Sequence, residues 1–357
     1  MQLYCNTMHV SCTVAFVTEL LDSSIDWAAI ESWLAARNVT AGQVTNIEPI
    51  GGGTQNLMFK FECGDVRLVL RRGPRHLRPH TNDALRREAR VLSALDGTGV
   101  PIPRLVAAEL DESVLGSVFY LMEPVDGFNA SVGLPRSHSE WHRDMGFAAV
   151  DALLALGAVD AEHVGLGDLG KPEGFLDRQV PQWLSTLDKY AALDGYPGHQ
   201  LPHVDDIASW LTQHRPPNFL PGIMHGDYHL ANLMFRNDGP EVAAIVDWEM
   251  CTLGDPLLDL GWLLTTWPQN NAIGPFGEMS DLPTRTELVA HYAKSSHRSV
   301  DQAPWYAAMA SFKLAIVLEG TNARAHAGKA PKATGDLLHA LAIGLLDNAT
   351  AFIEKGL

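Results

Sequence analysis

The sequence predicts an α+β fold of two lobes, in which an N-terminal antiparallel β-sheet with one key helix precedes a mostly helical C-terminal lobe. Three observations support this prediction. Residues 44–72 alternate apolar and polar side chains around two glycine turns, which is typical of an antiparallel β-meander. Proline and glycine mark a linker at 124–127. Most of the chain beyond this linker repeats apolar residues at helical spacing, so the fold changes from sheet to helix there.

The N-terminal lobe is predicted to begin with a helix and three strands. The helix covers residues 25–37, with Asp26 near its start and apolar side chains at helical spacing. The strands are expected at 44–50, 57–63 and 66–71, and the turns between them at 51–53 and 64–65.

The key helix of this lobe is predicted next. Thr81 or Asn82 can cap its start, because both side chains offer an oxygen to the first backbone N–H groups. One apolar stripe continues along the helix until Gly97 stops it. A strand pair is then expected at 105–110 and 118–122.

The linker at 124–127 sets the predicted domain boundaries. We expect an N-terminal extension that could be disordered at 1–24, the N-terminal lobe at 25–123 and the C-terminal lobe at 124–357. Helices of the C-terminal lobe are predicted at 139–156, 175–192, 203–214, 284–296, 303–327 and 334–354. A short non-helical island at 223–260 interrupts them, and it contains the polar residues that could perform chemistry.

The composition argues against several classes of protein. The 26 Lys and Arg residues stand against 42 Asp and Glu, a formal net charge of −16, and a field this acidic repels nucleic-acid phosphates. Apolar runs such as 314–318 are far shorter than the roughly 20 residues of a bilayer span. The four cysteines lack metal-ligand spacing and the N-terminus lacks the features of a signal peptide. We therefore expect a cytoplasmic protein that binds neither nucleic acid nor membrane.

The island contains a pattern of polar residues that is typical of phosphoryl transfer. Asp227 is followed five residues later by Asn232, and Asp247 comes directly after a short apolar strand. Protein kinases have this order and spacing in their catalytic loop and metal-binding segment. One carboxylate can accept the proton of an attacking hydroxyl, while an amide oxygen and a second carboxylate can hold Mg²⁺ on nucleotide phosphates.

Two other interpretations of the island remain open from the residues alone. The stretch around Asp227 and Asn232 could be a turn held by Asx hydrogen bonds. Alternatively, His225, Asp227 and His229 have a spacing that could bind a transition metal in a hydrolase.

The N-terminal lobe offers matching parts. The glycine-rich residues 51–56 could cover phosphates, although a hairpin turn has the same composition. Alternation along the third strand places Val69 and Arg71 on one face, and Arg71 occupies the position of the phosphate-binding lysine of kinases. Glu88 lies on the apolar face of the key helix, where a pair with Arg71 would relieve the cost of burying it. A solvated charge at the strand end is the alternative for Arg71.

These motifs together resemble the aminoglycoside phosphotransferase and choline kinase superfamily, and within it the kinase-like proteins fused to, or encoded beside, acyl-CoA dehydrogenases. The resemblance covers residues 40–345. The segments that carry it are HGDYHLANLMF at 225–235, IVDWEMCTLGDPLLDLG at 245–261, LVLRRGP at 68–74, RREARVLSAL at 86–95, VPIPR at 100–104, VLGSVFYLMEPVDG at 114–127 and VGLGDLGKPEGFLDRQVPQW at 164–183.

The resemblance implies a protein-kinase-like fold and a role for each matching residue. Asp227 would be the catalytic base with His225 orienting its loop, and Asn232 and Asp247 would bind Mg²⁺. Residues implied to bind the nucleotide, ATP or GTP, are Gly52, Gly53, Thr54, Val69, Arg71, Glu88, Leu121, Met122 and Glu123. Structural support of the catalytic loop would come from Asp255 and Asp259.

The expected activity is the transfer of a γ-phosphoryl group to a hydroxyl of a small molecule. The resemblance implies an acceptor like a hydroxyacyl-CoA or an aminoglycoside, and a functional link to acyl-CoA metabolism. Cations that could contact an anionic acceptor are Arg178, Lys313, Arg324 and Lys329, and a solvated charge is the alternative for each of them. A catalytically inert nucleotide-binding module is the competing hypothesis, because Arg71 replaces the usual lysine. The sequence indicates neither the acceptor nor the oligomeric state.

Overall fold

The structure, a computed structural model, describes residues 25–51, 56–74, 79–268, 279 and 281–357. The predicted extension 1–24 and the predicted phosphate-loop residues Gly52, Gly53 and Thr54 lie outside the described residues. The elements of the N-terminal lobe are α1 (Trp27–Ala36), β1 (Val44–Pro49), β2 (Leu57–Cys63), β3 (Val66–Arg72), α2 (Thr81–Leu95), β4 (Leu105–Glu109) and β5 (Phe119–Met122).

The five strands form one antiparallel sheet in the order β1-β2-β3-β5-β4. Because side chains alternate along β3, Leu68 and Leu70 pack against α1, whereas Val69 faces the core on the other side of the sheet together with α2. Helix α1 begins at Asp26, whose carboxylate accepts a hydrogen bond from the Ala29 N–H at 2.9 Å. The sheet therefore lies between two helices, and α2 is the one that borders the C-terminal lobe.

Helix α2 starts differently from the prediction. The residue before the helix is His80, in the left-handed region with φ of 69°, and Thr81 is already helical. The Asn82 side chain accepts a hydrogen bond from the Val118 N–H at 3.1 Å and donates to Glu112 at 2.7 Å. The prediction that Thr81 or Asn82 caps α2 is therefore wrong for Asn82, which instead ties the helix to the chain before β5.

Helix α2 is also fixed to the C-terminal lobe. The Arg87 guanidinium donates from Nη2 to the carbonyl oxygens of Leu169 and Cys251, each at 2.6 Å. Arg87 is adjacent to Glu88, so this contact holds the position from which Glu88 points at the sheet.

The C-terminal lobe is mostly helical. Its described helices are α3 (His142–Gly157), α4 (Phe175–Ala191), α5 (Val204–Gln213), α6 (Leu257–Thr265), α7 (Arg285–Ser295), α8 (Ala303–His326) and α9 (Lys332–Lys355). Its described strands are β6 (Phe128–Asn129), β7 (Gly222–Met224), β8 (Leu233–Phe235), β9 (Val242–Ile245) and β10 (Thr252–Gly254). Strand β7 pairs with β10, and β8 pairs with both β6 and β9. Helix α8 is central and packs on α4, α5, α6 and α9.

Six of these helices agree with the predicted ones to within three residues at each end, but α6 was not predicted. It begins inside the island expected to be non-helical. Its sequence LLDLGWLLT is almost uniformly apolar, because the helix is buried around most of its circumference against α8. A helix of this kind has no polar face and so lacks the periodicity from which helices are recognised.

Among the described residues, helix α9 is long and apolar enough to cross a membrane by length and composition alone. A core helix of a globular protein passes the same test. Here Leu338, Leu345 and Phe352 are buried, and the helix packs along α8. About a third of its apolar stretch is buried, so the packing accounts for part of its apolar composition.

Candidate active site

Arg71 and Glu88 form a two-pronged ion pair between β3 and α2. Nε of Arg71 lies 2.8 Å from Oε2 of Glu88, and Nη2 lies 3.0 Å from Oε1. The Tyr120 hydroxyl from β5 donates to Oε2 at 2.7 Å. Both charged residues are buried. Burial alone would lower the pKa of Arg71, but the charge of Glu88 and its neighbours raises that pKa well above the ordinary value, so the guanidinium stays charged.

The same guanidinium reaches across to the C-terminal lobe. Its Nη2 lies 3.1 Å from Oδ1 of Asp247, the residue that the sequence predicted to bind metal. Asp247 has a left-handed backbone with φ of 68°, which is uncommon for a residue other than glycine. The turn is fixed by the Trp248 indole, which donates to the Ile245 carbonyl at 2.9 Å. The chain therefore leaves β9 abruptly, with the Asp247 carboxylate between the lobes.

His225 and Asp259 hold the loop that carries Asp227. Asp259, on α6, accepts hydrogen bonds from the backbone N–H groups of His225 at 2.6 Å and Gly226 at 2.8 Å. His225 donates from Nε2 to the Val246 carbonyl at 3.0 Å and accepts at Nδ1 from the Asp227 N–H at 3.4 Å. Because both ring nitrogens face backbone groups, His225 does not join Asp227 and His229 in a transition-metal site, and the hydrolase interpretation loses its ligand set.

Asp255 has a separate structural role at the start of α6. It accepts hydrogen bonds from the Leu257 N–H at 3.1 Å and from the Tyr306 hydroxyl at 2.5 Å. Burial raises the pKa of Asp255, although both hydrogen bonds oppose that effect. Asp255 thus joins α6 to α8 rather than facing a cavity.

Asp227 lies in direct contact with Asn232. The Asn232 amide nitrogen donates to the Asp227 carbonyl at 2.9 Å and to its Oδ2 at 3.2 Å. The amide oxygen of Asn232 is consequently the atom that could bind a cation. Burial would raise the pKa of the Asp227 carboxyl, but His229, whose Nε2 is 3.3 Å from Oδ1, lowers it well below the usual range. Asp227 is therefore ionised at neutral pH.

A cavity of about 340 Å³ between the lobes brings many of these residues together. We call it the interlobe cavity. Its lining consists of Ile50, Gly51, Met58, Lys60, Val69, Arg71, Leu92, Pro103, Tyr120, Met122, Glu123, Pro124, Val125, Asn129, Ser131, Ala231, Asn232, Met234, Val246, Asp247 and Trp248. The lining is apolar at the end near Val69 and Met122 and polar at the end near Arg71, Asn232 and Asp247. This gradient suits a ligand with a flat apolar part and an anionic part.

The remaining residues predicted to bind the nucleotide differ in their contacts. Glu88 is behind Arg71 and holds it. Leu121 points to the opposite face of the sheet, where it packs with Phe119 in the core under α1. The Glu123 N–H already donates to the Arg104 carbonyl at 2.9 Å, and its carboxylate pairs with the Arg104 guanidinium.

Glu249 is a site residue that the sequence analysis missed. Carboxylate oxygens of Glu88, Asp247 and Glu249 lie within 4.8 Å of one another. Burial, together with the charges of Asp247 and Glu88, raises the pKa of Glu249 to about 7. Its signal in the sequence was its place two residues after Asp247. Carboxylate and amide oxygens are the ligands that Mg²⁺ prefers, so Asn232 and Asp247, which both line the interlobe cavity, fit that ion.

A second cavity of about 340 Å³ lies on the other side of the catalytic loop, among the helices. We call it the helical cavity. It is lined by Lys171, Phe175, Arg178, Gln179, Gln182, Trp183, Met224, Gly226, Met250, Thr252, Leu253, Leu258, Asp259, Trp262, Met309, Ala310 and Lys313. Gly226 lines this cavity and Asn232 lines the interlobe cavity, so the segment with Asp227 lies between the two.

The predicted anion contacts divide into two groups. Arg178 and Lys313 line the helical cavity. Lys329 is exposed, and Arg324 donates to Thr321 at 2.6 Å, so neither belongs to its lining. Lys171, Trp183 and Trp262 also line the cavity and were missed, because nothing in the sequence shows that these separate positions meet around one cavity.

Three features together define a kinase-type phosphotransferase. They are an N-terminal sheet lobe, a helical lobe, and an Asp, Asn, Asp set at the junction of the two. The chain belongs to the phosphotransferase enzyme family, whose sequence model matches residues 46–288. The fold class predicted from the sequence is confirmed by a crystal structure of a candidate aminoglycoside phosphotransferase from Ralstonia eutropha JMP134. That structure aligns over 91% of this chain and 98% of its own, with a TM-score of 0.77 and 29% identity.

Other relatives extend the comparison. Mouse acyl-CoA dehydrogenase family member 10 is 28% identical over 85% of this chain, and the probable acyl-CoA dehydrogenase IBR3 of Arabidopsis thaliana is 28% identical over 90%. The chain spans only 29% and 42% of the length of these two relatives. A GDP complex of aminoglycoside 2'-phosphotransferase-IIIa shares the fold, with a TM-score of 0.60 over 91% of this chain at 14% identity.

Proposed function

We propose that this protein uses ATP, or GTP, to phosphorylate a hydroxyl group of a small molecule. The observation that carries the proposal is the position of the segment with Asp227, because Asn232 lines the interlobe cavity together with Arg71 and Asp247, and Gly226 lines the helical cavity. Phosphoryl transfer requires a donor and an acceptor to meet in line at such a point. Catalysis then consists mainly of positioning and of neutralising charge.

Each residue has a defined part in this scheme. The base of the nucleotide would lie against Val69 and Met122, which line the interlobe cavity, and Arg71, held by Glu88, would contact its phosphates. Asp227 accepts the proton of the acceptor hydroxyl as the oxygen attacks the γ-phosphorus and the bond to the leaving phosphate breaks. Mg²⁺, held by Asn232 and Asp247 with Glu249 beside them, would neutralise charge on the transferred group.

The helical cavity favours a hydroxyacyl-CoA over an aminoglycoside as acceptor. Its cations are Lys171, Arg178 and Lys313, and its sole carboxylate among the described lining residues is Asp259. That carboxylate already accepts two backbone hydrogen bonds. An aminoglycoside is polycationic and needs carboxylates around it, whereas these cations suit an anionic acceptor. The names of the acyl-CoA dehydrogenase relatives agree with this choice and with a link to acyl-CoA metabolism.

An inert nucleotide-binding module is the alternative, and Arg71 in place of lysine is its motivation. Against it, Glu88 holds Arg71 beside Asp247 in the lining of the interlobe cavity, and a guanidinium suits phosphate as well as carboxylate. We further propose a cytoplasmic location. The absence of nucleic-acid or membrane partners stays an expectation.

Transfer of label from γ-³²P-ATP with Mg²⁺ tests the proposal. The acceptors are a panel of hydroxyacyl-CoA thioesters, kanamycin and hygromycin B, each with the Asp227→Asn variant as the blank. We expect phosphorylated hydroxyacyl-CoA, identified by its mass, from the unmodified protein alone. Nucleotide binding by calorimetry without transfer to any acceptor would support the inert module instead.

A further inference from the structure

Lys313 places an ammonium group directly beside the catalytic loop. It projects from α8 into the helical cavity, and its Nζ donates to the Gly226 carbonyl at 3.2 Å. Gly226 immediately precedes Asp227. An acceptor that presents its hydroxyl to Asp227 therefore brings the neighbouring atoms of the same molecule close to Lys313.

Two indole rings flank the Lys313 ammonium group, and the charges of Asp227 and Asp259 act on it. Nζ lies 4.5 Å from the ring centre of Trp262 and 5.5 Å from that of Trp183, both within the range of a cation–π contact. Burial lowers the pKa of Lys313, while the charges of Asp227 and Asp259 oppose that effect. Within the part of the chain that the structure describes, the hydrogen bond donated by Nζ of Lys313 goes to a backbone carbonyl and not to a carboxylate. An ammonium group has three donors, so capacity for a ligand oxygen remains.

We infer that Lys313 determines acceptor specificity by donating a hydrogen bond to an electron-rich oxygen, a carbonyl or a carboxylate, that lies a few bonds from the reacting hydroxyl. This inference rests on the proposed function. It adds the position of the reacting hydroxyl on the acceptor, close to the oxygen that Lys313 binds. An acceptor with an oxygen at this place pairs with the donor, whereas an acceptor without one leaves the donor unpaired. A site of this kind discriminates strongly between the two acceptors. The same charge repels an acceptor with an ammonium group at that place.

The indole rings complete the site. Trp183 and Trp262 flank the ammonium group, and Met250 and Met309 add flexible apolar surface to the same cavity. Methionine and tryptophan side chains accept an apolar chain of variable shape. Lys313 therefore fixes one end of the acceptor, and the apolar lining takes the remainder.

The test compares two hydroxyacyl-CoA thioesters of one chain length, with the hydroxyl either near the thioester carbonyl or at the far end of the chain. For the unmodified protein we expect a clear preference in kcat/KM for the near hydroxyl. Lys313→Met should lose about 10- to 100-fold on that acceptor alone, the range for a hydrogen bond to a charged group. The KM for ATP should not change, and Lys313→Arg should recover part of the preference because it keeps the charge.

The matched control is Lys329→Met, at an exposed position outside the cavity lining. A purely structural effect of Lys313→Met would lower kcat for both acceptors equally and leave their ratio unchanged, which would overturn the inference. If thermal unfolding shows that the Lys313→Met protein is not folded, Lys313→Gln provides the same comparison.

Binding separates this inference from the proposed function. Quenching by a near-hydroxyl acyl-CoA of the fluorescence that is absent when Trp183 and Trp262 are both replaced by Phe reports occupation of the helical cavity without turnover. If the unmodified protein transfers no phosphoryl group, the proposed function is contradicted. If Lys313→Met also weakens the quenching, the acceptor still depends on Lys313 for binding, which supports the inference. Equal quenching in both proteins, or none in the unmodified protein, would contradict the inference itself.

Discussion

His225 donates a hydrogen bond from Nε2 to the carbonyl oxygen of Val246, at 3.0 Å. Val246 directly precedes Asp247, and His225 lies two residues before Asp227. One imidazole thus joins the segment that carries the proposed base to the segment that carries the proposed metal ligand. The distance between those two functions is fixed by a side chain that performs no chemistry itself.

Asp227→Asn should remove phosphoryl transfer and leave nucleotide affinity nearly unchanged. The amide keeps the shape of the side chain but cannot accept the proton, and assistance by a general base is worth about 10² to 10⁴ in rate. The measurements are kcat with a hydroxyacyl-CoA and the Kd of Mg-ATP by calorimetry. Asp336→Asn, at an exposed position on α9, is the control. An active Asp227→Asn protein would mean that positioning, and not proton removal, dominates.

Asp247→Ala should abolish Mg²⁺-dependent nucleotide binding, whereas Glu249→Gln should only weaken it. Asp247 lines the interlobe cavity and is adjacent to the catalytic loop, while Glu249 supplies a neighbouring carboxylate. Titrating ATP at several Mg²⁺ concentrations separates a lost metal ligand from a lost phosphate contact. Unchanged Mg-ATP affinity in Asp247→Ala would rule out the assigned ligand.

Substitutions at Arg71 and Glu88 test the phosphate contact. We expect Arg71→Lys to stay active, because a point charge still reaches a phosphate, and Arg71→Ala to lose about 10² to 10³ in kcat, as when one stabilising donor is removed. Glu88→Gln should lower kcat by loosening the guanidinium. Because Glu88 is buried and also accepts from Tyr120, that change should cost about 1–3 kcal/mol in the free energy of unfolding as well. Near-normal activity in both Arg71 variants would place the nucleotide elsewhere.

The stability of the protein should fall at alkaline pH, and Tyr306 should account for part of the fall. Burial, together with Asp255, raises the pKa of the Tyr306 hydroxyl above its ordinary value. The neutral phenol therefore stabilises the fold below the unfolded-state pKa of about 10, and this contribution is lost as pH rises above it, by at most about 1.4 kcal/mol per pH unit.

Chemical denaturation of the unmodified protein and of Tyr306→Phe, at a series of pH values from about 9 to 11, tests this linkage. The Phe variant should be less stable at neutral pH, since Asp255 loses a hydrogen-bond donor, but its stability should fall less steeply with pH. Parallel pH dependence of the two proteins would show that Tyr306 does not contribute.

Local patterns in the sequence predicted the elements, and motifs predicted the centre of the site. The pairing of Arg71 with Glu88 followed from one strand alternation and one buried carboxylate on an apolar helix face. Helix α6 was missed because burial on nearly all sides removed its periodicity. Asn82 was assigned a local cap, although its partners, Glu112 and Val118, lie in the chain between β4 and β5. Lys313 and Trp183 meet only when α8 and α4 pack together, and no sequence pattern reports such a contact.

The contact between Arg71 and Asp247 gives the proposed metal-binding carboxylate a counter-ion within the protein. Under the proposed function, free Mg²⁺ must compete with a guanidinium for that oxygen, whereas Mg²⁺ delivered on a nucleotide brings phosphates to which the guanidinium can turn. We therefore expect metal and nucleotide to bind as one unit, and the metal ion alone to bind weakly.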